Sequence, residues 1–194
     1  DNVAHNNVAH GIFTWQNTDS VHVIDGFTAY HNGGAGIDHG AYVNGYVYLN
    51  VVSFENDDTE LRLLANSRDI PLQRFNNFQI GTMAPSALEV AHAALSGAGA
   101  AELKNWNITK LGVGNKAVSI NETSGLRHQL DLVCWILPGG AELEQSNFDV
   151  KVSLPETTIR VQRRNGTAYQ FLNGVFTDII SFARFGAVTT GYFP

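Results

Sequence analysis

The sequence is poor in the residues that mark several common classes of protein. Its 194 residues include one Cys and one Met, and charged residues make up only 15% of the chain. A single Cys excludes an intrachain disulfide, and the apolar run LDLVCWIL predicts that the thiol of Cys134 is buried. The net charge of −6 comes without a basic block, so the clustered Lys and Arg residues of a nucleic-acid-binding surface are missing. No apolar run approaches the roughly 18 residues of a membrane-spanning helix.

The residues that are abundant indicate a folded β-rich chain. Hydrophobic residues make up 44% of the sequence and there are 19 glycines, a balance typical of a globular protein. The chain opens at Asp1 in the middle of a pattern, without a Met or a signal peptide. We therefore expect a fragment or a processed product, whose partner is the missing N-terminal portion of a longer polypeptide or a companion chain.

A repeat of about 25 residues runs through the first part of the chain. Ala4–Asn7 aligns with Ala29–Asn32 at a shift of 25, and Asn32 aligns with Asn56 at a shift of 24. This period is typical of a solenoid coil, in which each position stacks on its counterpart about 4.8 Å away. The sequence therefore predicts an all-β fold, the right-handed parallel β-helix. The alternative is an antiparallel sandwich, which gives no reason for Asn and Gly-Ile to recur at a fixed shift.

The repeat also predicts which side chains point inward. Like positions stack on one another, so an apolar stack and a ladder of buried Asn side chains are expected inside the coils. Gly11 and Gly36 are expected to supply a turn conformation that is costly for other residues. The apolar stack comprises Ile12, Ile37, Leu61, Leu88 and Val118, and the ladder comprises Asn7, Asn32 and Asn56.

The pattern changes near Gly125. The strand-like segments LDLVCWIL, FDVKVSL, TTIRVQRR and TAYQFLNGVF follow, with turn residues between them. We expect residues 1–125 to form parallel β-helix coils. Residues 126–194 are expected to form further coils or a β-rich capping region of the same structural domain, because a solenoid needs its open end covered. Trp106 and Trp135 lie in apolar runs and are expected in the core.

A family resemblance rests on the early repeat, NVAHNNVAHGIFTWQNTDSVHVIDGFTAYHNGGAGIDHGAYVNGYVYLN. This stretch resembles the right-handed parallel β-helix superfamily, the pectate lyase-like proteins, over about Asn2 to Arg62. The resemblance implies a polysaccharide as the usual ligand and a secreted or cell-surface location. Because the repeat describes coil geometry and not chemistry, activity has to be argued from individual residues.

One outward column carries most of the candidate chemistry. If Ile37 points inward, Asp38 points outward, because side chains alternate along a strand. The same column then contains Phe13, Arg62 and Glu89. Arg62 could clamp a uronate carboxylate in bidentate fashion, and Asp38 could take a proton. The alternative is an ordinary surface ladder of compensating charges.

Several ring side chains extend the candidate site. Tyr30 beside His31 can serve as acid and base in the eliminative cleavage of uronic acid polymers, although coil-to-coil packing of Tyr30 is the alternative. Trp15 lies next to a predicted turn and would form a sugar platform if exposed. His10 and His39 border the Gly turns, where each can also satisfy loop backbone. The candidate catalytic residues are Asp38, His39, Arg62, Tyr30 and His31, and the candidate substrate-binding residues are Phe13, Trp15, His10 and Glu89.

The densest acidic cluster, ENDDTE, contains the candidate metal ligands Glu55, Asp57 and Asp58. Carboxylates at a turn are hard oxygen ligands of the kind that Ca²⁺ prefers. A solvated turn is the alternative, and the sequence indicates no other cofactor.

Two functions stay open at this point. The first is an extracellular carbohydrate-active protein that binds an acidic polysaccharide and cleaves it as a lyase or a glycoside hydrolase. The second is a noncatalytic β-helix fragment of a surface adhesin, tailspike or structural protein. The short chain favours the second function, whereas the density of His, Asp and aromatic residues in the early coils favours the first.

Overall fold

The structure is a computed structural model that describes residues 2–14, 20–40, 45–64, 73–91, 98–122, 127–152, 158–172 and 175–179. The described residues form nineteen strands and two short 3₁₀ turns, η1 (Pro138–Gly140) and η2 (Gln145–Asn147). In chain order the strands are β1 (Asn2–His5), β2 (Ile12–Thr14), β3 (His22–Asp25), β4 (Phe27–Tyr30), β5 (Ile37–His39), β6 (Tyr46–Leu49), β7 (Val52–Phe54), β8 (Thr59–Leu64), β9 (Gln73–Asn76), β10 (Gln79–Thr82), β11 (Ser86–Ala91), β12 (Ala98–Lys104), β13 (Asn107–Leu111), β14 (Lys116–Glu122), β15 (Arg127–Val133), β16 (Phe148–Val152), β17 (Thr158–Gln162), β18 (Ala168–Leu172) and β19 (Val175–Ile179).

The strands build a parallel β-solenoid with three sheets. Sheet A has the order β1-β4-β7-β10-β13, sheet B the order β2-β5-β8-β11-β14-β16, and sheet C the order β3-β6-β9-β12-β15-β17-β18-β19. From β1 to β15, every third strand along the chain therefore lies in the same sheet, because each of these coils contributes one strand to each of the three sheets. The predicted all-β parallel β-helix architecture is confirmed. No helix in the described part of the chain is both long and apolar enough to cross a membrane.

The apolar stack predicted from the repeat is confirmed. Ile12 pairs with Ile37, Ile37 with Leu61, and Leu61 with Leu88 in parallel register. The stack continues through Val118, which pairs with Leu88. The side chains from Ile37 onward are fully buried. Residues of like size therefore lie on one another about 4.8 Å apart and close the core of the coils.

The two predicted core Trp residues belong to one buried aromatic stack. The ring centroids of Phe78 and Trp106 lie 4.8 Å apart, and those of Trp106 and Trp135 lie 4.4 Å apart, with nearly parallel planes. Each indole N–H donates to a carbonyl of the preceding coil, at Phe75 and Leu103 respectively. Burial of both rings therefore leaves no indole donor unpaired.

The predicted Asn ladder is also confirmed. Asn7 donates its backbone and side-chain N–H groups to Oδ1 of Asn32, at 3.2 and 2.8 Å. Asn32 repeats both bonds to Oδ1 of Asn56, at 3.1 and 2.8 Å. Each rung donates towards the following coil, so the ladder has a direction.

The role predicted for Gly11 and Gly36 is wrong. Neither residue has a positive φ, so neither supplies a left-handed turn. A Cβ on Gly11 would lie 2.9 Å from Nδ2 of Asn32, and one on Gly36 would lie 2.7 Å from Nδ2 of Asn56. The glycines are needed because the Asn amides, the carbonyl oxygen of Gly36 and the hydroxyl of Ser53 occupy the space that a side chain would fill.

The burial predicted for Cys134 is wrong as well, since this residue is only half-buried. Its φ of 56° repeats the left-handed conformation of Asn50, Asn77 and Asn105 at the same corner of earlier coils. Asn77 donates to Asn50 and Asn105 donates to Asn77 through their side chains, at 3.2 and 3.1 Å. Cys134 therefore occupies the position that follows Asn105 in a second Asn ladder, at a surface corner of the coils. This ladder was not predicted from the sequence.

The parallel stack continues beyond residue 125. β15, β16 and β17 pair in parallel with strands of earlier coils. Among the described strands, antiparallel pairing begins with β18, which lies between β17 and β19. The ring of Phe176 on β19 lies 5.6 Å from that of Phe148 and 4.9 Å from that of Phe171, and these rings close this end of the core.

Candidate functional site

The outward column of sheet B has the predicted register. Phe13 pairs with Asp38, Asp38 with Arg62, and Arg62 with Glu89. The column runs on through Ser119 and Asp149. Phe13 at its start is 47% exposed, whereas Asp38 is only 5% exposed because its neighbours cover it. The structure therefore brings four of the candidate residues into one row across consecutive coils.

Arg62 is the centre of this row and is held by three carboxylates. Its Nε lies 2.9 Å from Oε2 of Glu89, and its Nη1 lies 3.6 Å from Oδ2 of Asp38. Its Nη2 donates to Oδ2 of Asp58, four residues earlier in the chain. Burial disfavours the charge of Arg62, but the bonds to Glu89 and Asp58 outweigh it and raise its pKa.

His10 holds Asp38 from the other side, in a defined tautomer. The backbone N–H of Ala35 donates to Nδ1 of His10 at 3.0 Å, so Nδ1 carries no proton. In the neutral ring the proton is then on Nε2, which lies 3.1 Å from Oδ2 of Asp38 and donates to it. Gly34 makes room for this arrangement, because a Cβ there would lie 2.6 Å from Nδ1 of His10.

Asp38 consequently has one carboxyl oxygen that is paired and one that is unpaired. Its Oδ1 is buried and has no hydrogen-bond partner among the described residues. Burial raises the pKa of Asp38, and the opposing effects of His10 and Arg62 do not cancel this. A carboxyl with a raised pKa and an unpaired oxygen is the kind of group that transfers protons in active sites.

His39, a candidate catalytic residue, lies inside the solenoid. Its Nδ1 is 3.1 Å from Oγ1 of Thr14 and 3.0 Å from the hydroxyl of Tyr48. Its ring packs edge-on against Tyr46 and Phe75. Complete burial lowers its pKa to about 3, so it is neutral. Strand alternation sends His39 and Asp38 to opposite faces, and the structure does not bring His39 to the outer column.

Tyr30 and His31 lie on a different sheet from the column. Tyr30 is stacked between His5 and Phe54 with ring centroids 4.9 Å apart on both sides. His31 has a φ of 52° at the following corner, and its Nε2 lies 3.1 Å from Oε2 of Glu55. β4 belongs to sheet A and β5 to sheet B, so this pair and the Asp38 row form separate surfaces.

The acidic residues considered as Ca²⁺ ligands do not converge. Glu55 binds Lys110 at 2.5 Å, and this contact together with His31 lowers the pKa of Glu55. Asp58 faces Arg62, and Asp57 is exposed. Within the described residues, no group of three or more His, Cys, Asp or Glu side chains is arranged to hold a metal ion.

No protein-family model, curated protein or solved structure matches the chain. The contacts of the sheet B row are therefore the basis for any functional proposal.

The structure adds Asp58 to this row, whereas His39, Tyr30 and His31 lie elsewhere. Asp58 joins the row through Arg62, and its spacing of four residues from Arg62 was a usable signal. Glu60 belongs to the same acidic run but is fully buried. No sequence signal distinguished it from its solvated neighbours. Trp15 lies outside the described residues.

Proposed function

We propose that the outer face of sheet B binds an acidic polysaccharide and cleaves it by hydrolysis, with Asp38 as the proton-carrying group. The observation that supports this most strongly is the carboxyl of Asp38, which is 5% exposed and has a buried oxygen without a partner. An unpaired buried acceptor costs stability, and among the described residues Oδ1 of Asp38 is the one such atom in the sheet B row.

The chemistry needs a second carboxylate, and Glu89 is the candidate. Glu89 lies two coils from Asp38, which corresponds to about 9.6 Å between strands. This spacing lies just above the separation of about 6.5–9.5 Å between the carboxyl groups of inverting glycoside hydrolases. Both carboxylates contact Arg62, so the attacking water would bind beside the guanidinium. Asp38 would donate its proton to the glycosidic oxygen as the bond breaks. Glu89 would take a proton from water, whose oxygen attacks the anomeric carbon.

Binding of the glycan would use the two ends of the row. Phe13 is 47% exposed and offers a ring for stacking of a sugar. A uronate carboxylate would replace Asp58 at Arg62, because the side chain of Asp58 is 45% exposed and the least restrained of the three partners. Such a substrate implies that the protein acts outside the cell or at its surface.

The test is the release of reducing ends from a panel of uronate-containing polysaccharides. We expect the parent chain to release them, and we expect Asp38→Asn to lose at least about 100-fold in rate, the usual contribution of a general acid. Asp149→Asn is the matched control, because Asp149 lies in the same column and is 46% exposed in its side chain. No release by the parent on any polymer, with native circular dichroism, would rule out the proposal.

A noncatalytic scaffold is the second candidate. The ion pairs of Arg62 support this function. Three carboxylates contact the guanidinium, and those of Asp38 and Glu89 lie on the neighbouring coils, so the contacts stabilise the stacking of the coils. This function predicts that Arg62→Met lowers the melting temperature and that no polysaccharide of the panel is retained by the parent chain. Retention that depends on Phe13 would contradict it.

A further inference from the structure

We propose that the N-terminal end of the solenoid is a docking surface for a further parallel β-coil that carries an Asn in register with Asn7. Each of the first three strands lies at the edge of its sheet: β1 in sheet A, β2 in sheet B and β3 in sheet C. Each has one hydrogen-bonded neighbour in the described structure and a second edge without one. Such edges are templates for another strand.

The inward side chains of this end are covered on one side only. Ala4 and Ile12 are half-buried, whereas Ala29 and Ile37, their counterparts one coil on, are 0% exposed. In sheet C, Ile24 is half-buried while its counterpart Tyr48 is 0% exposed. These side chains therefore keep exposed apolar surface that a further coil would cover, and covering it is favourable.

The direction of the Asn ladder specifies what that coil must carry. Asn7 and Asn32 each donate two N–H groups to the Oδ1 of the next rung. Asn32 and Asn56 therefore each accept through Oδ1 from the coil before them. No donor among the described residues reaches Oδ1 of Asn7. An Asn one coil earlier would supply both donors with the geometry that the two existing steps already have.

The opposite end of the solenoid does not share these features. There β18 and β19 turn the sheet antiparallel, and Phe176 covers the core. A second copy of the chain is also a poor occupant of the N-terminal end. Its own ladder ends in the same acceptor at Asn7 and presents no matching donor. The added coil would pair with β1–β3 in the same way that β1–β3 pair with β4–β6.

The test is to add one coil and measure amide exchange. A copy of residues 26–49 placed directly before Asp1 puts its Asn in register with Asn7 and its Ile in register with Ile12. We expect amide exchange in β1–β3 to slow by at least about tenfold relative to the parent, because these amides change from an edge to the interior of a sheet. The control is the same fusion with Asn32→Leu in the added copy only. We expect amide exchange in β1–β3 of this control to slow less than in the first fusion.

Three results would overturn the proposal. Unchanged exchange in β1–β3 of the fusion would show that the edge does not accept a coil, and equal protection in the control would remove the role of Asn7. A parent chain that is a dimer in solution, with β1–β3 already protected, would make a second copy the occupant. This test is independent of any glycan chemistry.

Discussion

Glu60 occupies the place of a fourth Asn in the ladder. Asn56 donates its side-chain N–H to Oε2 of Glu60 at 2.5 Å and its backbone N–H to Oε1 at 3.3 Å. These are the same two donors that Asn7 and Asn32 direct to the following rung. The next coil has no Asn at this position, and the carboxylate ends the ladder instead. Ser53 adds a third hydrogen bond to Oε2, at 2.7 Å.

Removal of Glu60 should therefore destabilise the early coils. Glu60→Ala removes the acceptor of the backbone N–H of Asn56 and the shortest acceptor of its side-chain N–H, which keeps Oγ of Ser53 at 3.1 Å. We expect a loss of about 1–3 kcal/mol in the free energy of unfolding. Glu60→Gln keeps one acceptor and should cost less. Asp57→Ala, on the same turn but exposed, is the control and should change little. Chemical denaturation measures all three, and equal stability of Glu60→Ala and the parent would contradict this assignment.

The glycines beside the ladder give a second prediction. A Cβ on Gly36 would meet Oγ of Ser53 and Nδ2 of Asn56, so Gly36→Ala should destabilise by about 1–3 kcal/mol or more. Gly81→Ala is the matched control, because a Cβ there lies at ordinary contact distances of 3.6 Å or more. Thermal unfolding of the two variants should separate them clearly. A tolerated Gly36→Ala would show that the ladder can shift to make room.

Gly36 and Glu60 illustrate which parts of the fold the sequence could predict and which it could not. The recurrence of Asn and Gly-Ile fixed the register, because identical residues at a constant shift must stack, and the sheet B column followed from alternation alone. Glu60 could not be predicted, since nothing in ENDDTE separates a buried acid from its solvated neighbours. The ladder of Asn50, Asn77 and Asn105 was also missed, because its rungs are 27 and 28 residues apart and the intervening turns vary in length. The position of His39 was predictable from the same alternation that identified Asp38.

The buried imidazole of His39 gives a prediction about pH. Its pKa is lowered from 6.5 to about 3 in the folded chain, so below pH 6.5 the unfolded chain binds the extra proton. The stability that neutral His39 contributes is present above pH 6.5 and is lost as pH falls towards 3, by up to about 1.4 kcal/mol per pH unit. His39→Phe should flatten this slope in denaturation curves recorded from pH 7 to pH 4. The exposed His31→Phe should keep it, and an unchanged slope in His39→Phe would refute the assignment.

The tautomer of His10 can be measured directly. Because Ala35 donates to Nδ1, ¹⁵N chemical shifts of the neutral ring should show the proton on Nε2. Gly34→Ala should disturb this signature, since a Cβ would displace the ring. A proton on Nδ1 in the parent chain would mean that His10 does not donate to Asp38. His5, which stacks on Tyr30, serves as the reference ring.

The most direct test of the proposed role of Asp38 is the titration of its carboxyl carbon by ¹³C NMR, assigned by comparison with Asp38→Asn. We predict a pKa above the ordinary value of 3.8, because burial outweighs the attraction of His10 and Arg62. We also predict that His10→Phe raises this pKa further, since it removes a favourable partner of the charged form. A carboxyl of Asp38 that titrates at or below 3.8 would contradict the account, because it would hold no proton to give to a glycosidic oxygen.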